Sequence, residues 1–92
     1  MTTVVSKRTM GAPTPADVYI GRPSKWGNPF VIGKDGTRED VIFKYHTSLT
    51  YRPDLLAALP ELAGKRLVCW CKPQACHGDV LARLVNALEA RV

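Results

Sequence analysis

The chain has 92 residues, 46% hydrophobic and 23% charged, with 13 basic residues against 8 acidic ones and a formal charge of +5. That length makes one domain over residues 1–92 with a modest core, and the composition is ordinary for a globular protein. No apolar run approaches the roughly 20 residues of a membrane span. The N-terminus lacks the apolar centre of a signal peptide, so a cytoplasmic protein without a membrane partner is expected. The 3 cysteines in that setting argue against a disulfide framework. The basic excess points to a polyanionic partner, namely nucleic acid, a nucleotide or a phosphorylated metabolite. The plain alternative is solubility.

The elements follow in chain order. Thr3 to Ser6 is short and β-branched, a strand pattern. Gly11 to Pro15 carries two prolines and must be a loop. Val18-Tyr19-Ile20 reads as a second strand ending at Gly21, and Pro23 to Pro29 as a proline-bracketed loop. Phe30-Val31-Ile32 reads as a short strand before a turn at Gly33 to Gly36. Thr37 caps a helix, with Asp40 completing a capping box and Val41, Ile42, Tyr45 and Leu49 on one face. Pro53 suits a first helical turn, Leu55, Leu56, Leu59 and Leu62 form the next apolar stripe, and Gly64 stops it. Arg66 to Cys71 is the best strand, and Pro73 prevents its continuation. Asp79 is an N-cap for the last helix, whose buried stripe is Val80, Leu81, Leu84, Val85 and Leu88. This order predicts a small layered α/β domain: a short, mostly parallel sheet packed by about three helices, with the last strand central. Ligands of open α/β sheets gather at the carboxyl ends of strands, beside helix N-termini. The last strand–loop–helix unit is therefore expected to carry the site.

All three cysteines fall within Cys69–Cys76, beside one of the two histidines. Residues two apart in a strand share a face, so Cys69 and Cys71 could join Cys76 and His77 as a Cys3His set for Zn2+. The C-x-C spacing and the adjacency of Cys76 and His77 are unusual for zinc, and Cys69 could equally be core. The other reading is a catalytic or ligand site. A helix N-terminus would lower the Cys76 pKa and make it a nucleophile. His77 would be a base or hydrogen-bond donor, and Asp79 would orient it or meet a sugar hydroxyl. Gly78 is the only glycine there, so no phosphate loop exists, and Gly78 is expected among the ligand-binding residues.

The segment Arg22 to Phe30 sets two cations, an indole and an amide between prolines. Trp26 could stack on a base while Arg22 or Lys25 meets phosphate. Asn28 offers a donor and an acceptor, and Gly27 allows close backbone approach. The structural alternative has Trp26 and Phe30 covering the core and Asn28 bonding a turn. Trp70 is expected in the core. His46, Lys44 and Arg83 read as surface residues, and nothing demands that Tyr51 or Arg52 reach a ligand.

Ile20-Gly21-Arg22, Trp26 to Phe30, Cys69-Trp70-Cys71, Pro73 and Cys76 to Asp79 together resemble the pattern of domain of unknown function 4326, found in bacteria and bacteriophages. The resemblance covers most of the chain. It implies that both motifs belong to one feature, a single pocket, and a phage setting favours nucleotide or DNA metabolism. It supplies no activity. Three functions follow as expectations. The first is a nucleotide, nucleoside or nucleic-acid-base binding domain with its pocket between the Arg22–Phe30 and Cys71–Asp79 loops. Its enzyme form is a transferase or hydrolase acting on a nucleotide or glycosidic bond. The second is a non-catalytic zinc-stabilised module that binds nucleic acid or protein. The third is a phage accessory protein that binds a host protein partner.

Overall fold

The computed structural model describes residues 2–70 and 74–89. Three parallel strands, β1 (Thr3–Ser6), β2 (Asp17–Tyr19) and β3 (Arg66–Cys69), form a sheet in the order β1-β3-β2. Three helices accompany it: α1 (Arg38–Leu49), α2 (Pro53–Ala58) and α3 (His77–Glu89). A 3-10 turn, Leu59–Leu62, follows α2 directly. The expected layered α/β domain is present, with β3 in the centre and every strand pair parallel. Among the described residues no helix is long and apolar enough to cross a membrane.

Alternation along the strands separates two faces. Val4, Val18, Leu67 and Cys69 face the core, where α3 lies on β1 and β3 and packs against α1 and the 3-10 turn. The fully buried centre includes Ile20, Leu67, Leu81 and Val85. On the other face Arg66 pairs with Asp17 through two bonds, 2.6 and 2.9 Å long. It also donates to the carbonyls of Met10 and Ala12, each at 3.3 Å. One guanidinium thus pins the crossover between β1 and β2, which must return across the sheet because those strands run parallel.

The helices begin where local chemistry allows. Thr37 accepts from the Asp40 N–H and Asp40 returns its carboxylate to the Thr37 N–H, a complete capping box. Val41, Tyr45 and Leu49 are buried below it. Pro53 opens α2, and Gly64 turns the chain at φ 71°, where a β-carbon would be strained.

Four local expectations are corrected. Phe30 to Ile32 is not a strand: Val31 donates to the Asp35 carboxylate and the Asp35 N–H returns to the Val31 carbonyl, closing a turn instead. Helix α3 begins at His77, so Asp79 is its third residue and not its N-cap. Leu56 and Leu88 are not buried but about two-fifths exposed, at 39% and 40%. Trp70 is 49% exposed while Trp26 is 3% exposed, so the indole in the core is Trp26 and the one at the surface is Trp70.

Candidate functional site

The carboxyl ends of β2 and β3 meet the first turns of α1 and α3. Parallel topology forces this, because each helix that returns the chain starts at the edge where strands end. A cavity of about 430 Å³ lies there, within the range of small-molecule sites. Tyr19, Gly21 and Arg22 line it from the end of β2, Asn28 and Phe30 from the proline-bracketed loop, and Arg38, Val41 and Ile42 from α1. Cys69 and Trp70 close the β3 side, and Ala75, Cys76 and His77 the α3 side.

The Ile20-Gly21-Arg22 triplet has a physical reason at each position. The Ile20 carbonyl accepts from His77 Nε2 at 2.7 Å. A carbonyl can only accept, so Nε2 holds the imidazole proton and Nδ1 keeps its lone pair. His77 is buried and stacks edge-on to Tyr45 with centroids 4.9 Å apart. Burial holds its pKa below the ordinary value, and the nearby Arg22 charge adds to this, so the ring is neutral at pH 7. At Gly21 a β-carbon would lie 2.3 Å from the Tyr19 hydroxyl, so only glycine lets that ring fold over the backbone. The Tyr19 hydroxyl donates to the Arg22 carbonyl at 3.3 Å and accepts from Trp70 Nε1 at 3.2 Å. This short chain of bonds ties the two strand ends together at the cavity rim.

The second cluster is tighter than its spacing indicates. Cys69 Sγ and Cys76 Sγ lie 3.2 Å apart, both buried. Their contact and burial push the Cys76 thiol well above the ordinary range. The expected lowering by the helix N-terminus is therefore outweighed, and Cys76 stands as a protonated thiol. Asp79 accepts from the Cys76 N–H at 3.1 Å, the return arm of a capping box. It is not among the residues that line the cavity.

Other expected site residues are dispersed. Lys25 pairs with Glu61 at 3.2 Å and lies over the Trp26 ring, away from the cavity. Trp26 is core, and its carbonyl accepts from the buried Tyr45 hydroxyl at 2.8 Å. Gly27 permits close approach of the Arg22 backbone, which a β-carbon would meet at 3.2 Å. Gly78 is buried against Ile20 and Val4. Asn28 lines the cavity, but its amide donates to the Val41 carbonyl and accepts from the Phe30 N–H. Of the Cys3His set, Cys71 lies outside the described residues, and His77 has committed Nε2. Among the described residues no cluster of three or more His, Cys, Asp or Glu could hold a metal.

Sequence reasoning missed Arg38, Tyr19, Phe30 and Trp70 as lining residues. Arg38 could have been found, since the first turn of a helix preceding a parallel strand faces the strand ends. It donates to the Ala75 carbonyl at 3.1 Å.

The family model described as "Domain of unknown function (DUF4326)" matches residues 4–87. An uncharacterized 12.4 kDa protein in the nrdA-td intergenic region of Enterobacteria phage T4 is 43% identical over 77 residues, covering 78% of this chain and 69% of its own. Uncharacterized protein R718 of Acanthamoeba polyphaga mimivirus is 37% identical over 91 residues, covering 79% of this chain and 69% of its own. No solved structure matches the chain.

Proposed function

The chain belongs to the DUF4326 family, and we propose that it binds a nucleotide, nucleoside or nucleic-acid base in the cavity at the ends of β2 and β3. One observation carries the reading: the cavity combines the aromatic rings of Tyr19, Phe30 and Trp70 with the cations Arg22 and Arg38, and among the described residues no carboxylate lines it. Aromatic faces suit a base and guanidinium groups suit anionic oxygens. Trp70 takes the stacking role expected of Trp26, because its ring is half exposed. The enzyme form of this reading is transfer or hydrolysis at a nucleotide or glycosidic bond. There, His77 Nδ1 accepts a proton, and Cys76 donates a hydrogen bond rather than attacking. Titration with nucleosides and nucleotides, followed by tryptophan fluorescence and backbone chemical shifts, tests the reading. Saturable shifts at Tyr19, Arg22, Phe30, Arg38 and Trp70 are expected. An unchanged spectrum at millimolar ligand would refute it.

A second reading, a zinc-stabilised nucleic-acid or protein-binding module without catalysis, draws support from the sulfur pair of Cys69 and Cys76. Zinc at one equivalent, retained until unfolding and required for folding, is its expected signature. Cooperative unfolding of metal-free protein unaffected by chelator would contradict it.

A further inference from the structure

We propose that the cavity takes its ligand as a phosphomonoester, held between the guanidinium groups of Arg22 and Arg38. This rests on reading the cavity as a nucleoside or nucleotide site, and adds which member of that class it prefers. The two arginines reach the cavity from separate elements, Arg22 from the loop after β2 and Arg38 from the first turn of α1. Each fork has five N–H donors. Arg38 gives the Ala75 carbonyl one bond through Nη1, which orients its fork. Arg22 makes no side-chain hydrogen bond or ion pair to the described residues, although its neighbour Lys25 has Glu61.

The charge count favours a monoester. Among the described residues no Asp or Glu lines the cavity. Asp79 and Asp40 direct their carboxylates to backbone N–H groups at the starts of α3 and α1, those of Cys76 and Thr37. Two arginines thus line the cavity with no acidic residue among its described lining residues. A phosphomonoester brings about −1.5 to −2 at neutral pH and three acceptor oxygens, which matches the pair. A free nucleoside leaves both uncompensated, and an internal phosphodiester supplies a single charge. The cavity volume of about 430 Å³ suits one nucleotide rather than a strand.

The test is calorimetric titration at fixed ionic strength. Adenosine, guanosine, cytidine, uridine and thymidine are compared with their 5′-monophosphates, ribose 5-phosphate and a trinucleotide. At least one monophosphate should bind about tenfold or more tightly than its nucleoside, as charge-assisted bidentate contacts predict. Arg22→Ala and Arg38→Ala should each abolish most of that preference, lowering monophosphate affinity by a much larger factor than nucleoside affinity. Arg38→Lys keeps the charge without the fork and should recover part of it, and melting curves check that each variant is folded. Equal affinity for nucleoside and monophosphate overturns the phosphoryl assignment and leaves the nucleoside reading standing. Binding of ribose 5-phosphate as tight as any nucleotide supports the phosphoryl site and removes the base reading. No binding of any compound removes both. A preference that survives both alanine variants overturns the choice of arginines. Tighter trinucleotide binding, with a salt dependence of several phosphates, overturns the single-monoester assignment.

Discussion

Replacing Gly78 with alanine probes the join between α3 and the sheet on which the site depends. A β-carbon there would lie 2.7 Å from Ile20 Cδ1, 3.0 Å from Val4 Cγ1 and 3.3 Å from Cys76 Sγ. Comfortable carbon contacts begin near 3.5 Å. Ile20 is fully buried, so it cannot swing away, and its carbonyl holds His77. Overpacking of this kind costs about 1–3 kcal/mol. The helix preference of alanine over glycine returns roughly 0.5–1 kcal/mol. The net loss then lies between about 0 and 2.5 kcal/mol and centres near 1 kcal/mol, or roughly 4–8 °C in Tm at this chain length. Urea titration and thermal melting followed by circular dichroism measure both. The variant Ile20→Val removes the nearest methyl, at its own cost of about 0.5–1.5 kcal/mol. The double variant should lose less than the sum, by at least about 0.5 kcal/mol. A stabilising Gly78→Ala, or two changes that simply add, would refute the close packing of Gly78 on Ile20.

Tyr45→Phe keeps a buried ring but removes the donor to the Trp26 carbonyl; the cost should be about 1–2 kcal/mol, and unchanged stability would contradict it. The Arg66 guanidinium, followed by the Thr14 backbone, holds the Asp17 carboxyl well below its ordinary value of 3.8. Its folded pKa lies under the unfolded one, so its stabilisation is complete above 3.8 and is lost as pH falls through the folded value. Melts between about pH 5 and pH 2 should therefore fall less steeply for Asp17→Asn than for the parent chain; parallel curves would refute the linkage. Cys76, buried with its thiol pushed up, should react with iodoacetamide only as fast as the fold opens. Rapid site-resolved labelling with an apparent pKa below the ordinary thiol value would show an activated nucleophile instead.

Much of the fold was legible because local chemistry and global packing agree. The Thr37–Asp40 capping box, the Pro53 start and the Gly64 stop are local signals with one solution each, and all three occur. The central place of β3 follows from its apolar run, since a strand covered on both sides has few exposed positions. The start of α3 was misplaced because Asp79 satisfies cap chemistry from the third helical position as well as from the cap. Phe30 to Ile32 has strand composition, but the Asp35 carboxylate takes the Val31 N–H before any sheet edge can. Exchange of the two tryptophans is a tertiary effect. Trp70 follows the last core-facing strand residue, so alternation turns it outward, whereas Tyr45 on α1 draws the Trp26 backbone inward. Within the site, Cys69, Cys76, His77, Arg22 and Asn28 converge on one cavity, while Lys25, Trp26, Gly27, Gly78 and Asp79 serve the scaffold around it. Composition marks both segments but cannot tell a side chain that lines a pocket from one that holds its wall.

Occupancy of the cavity at the ends of β2 and β3 by a nucleotide or nucleoside is the proposal on which the other functional expectations rest. The most direct test is a titration of isotopically labelled protein with the 5′-monophosphates, read residue by residue. Saturable shifts confined to Tyr19–Arg22, Phe30, Arg38, Trp70 and Cys76–His77 are expected, with quenching of Trp70 lost in Trp70→Phe. Shifts confined to the exposed side chains of Phe43 and Tyr51, or no shift at millimolar nucleotide, would contradict it.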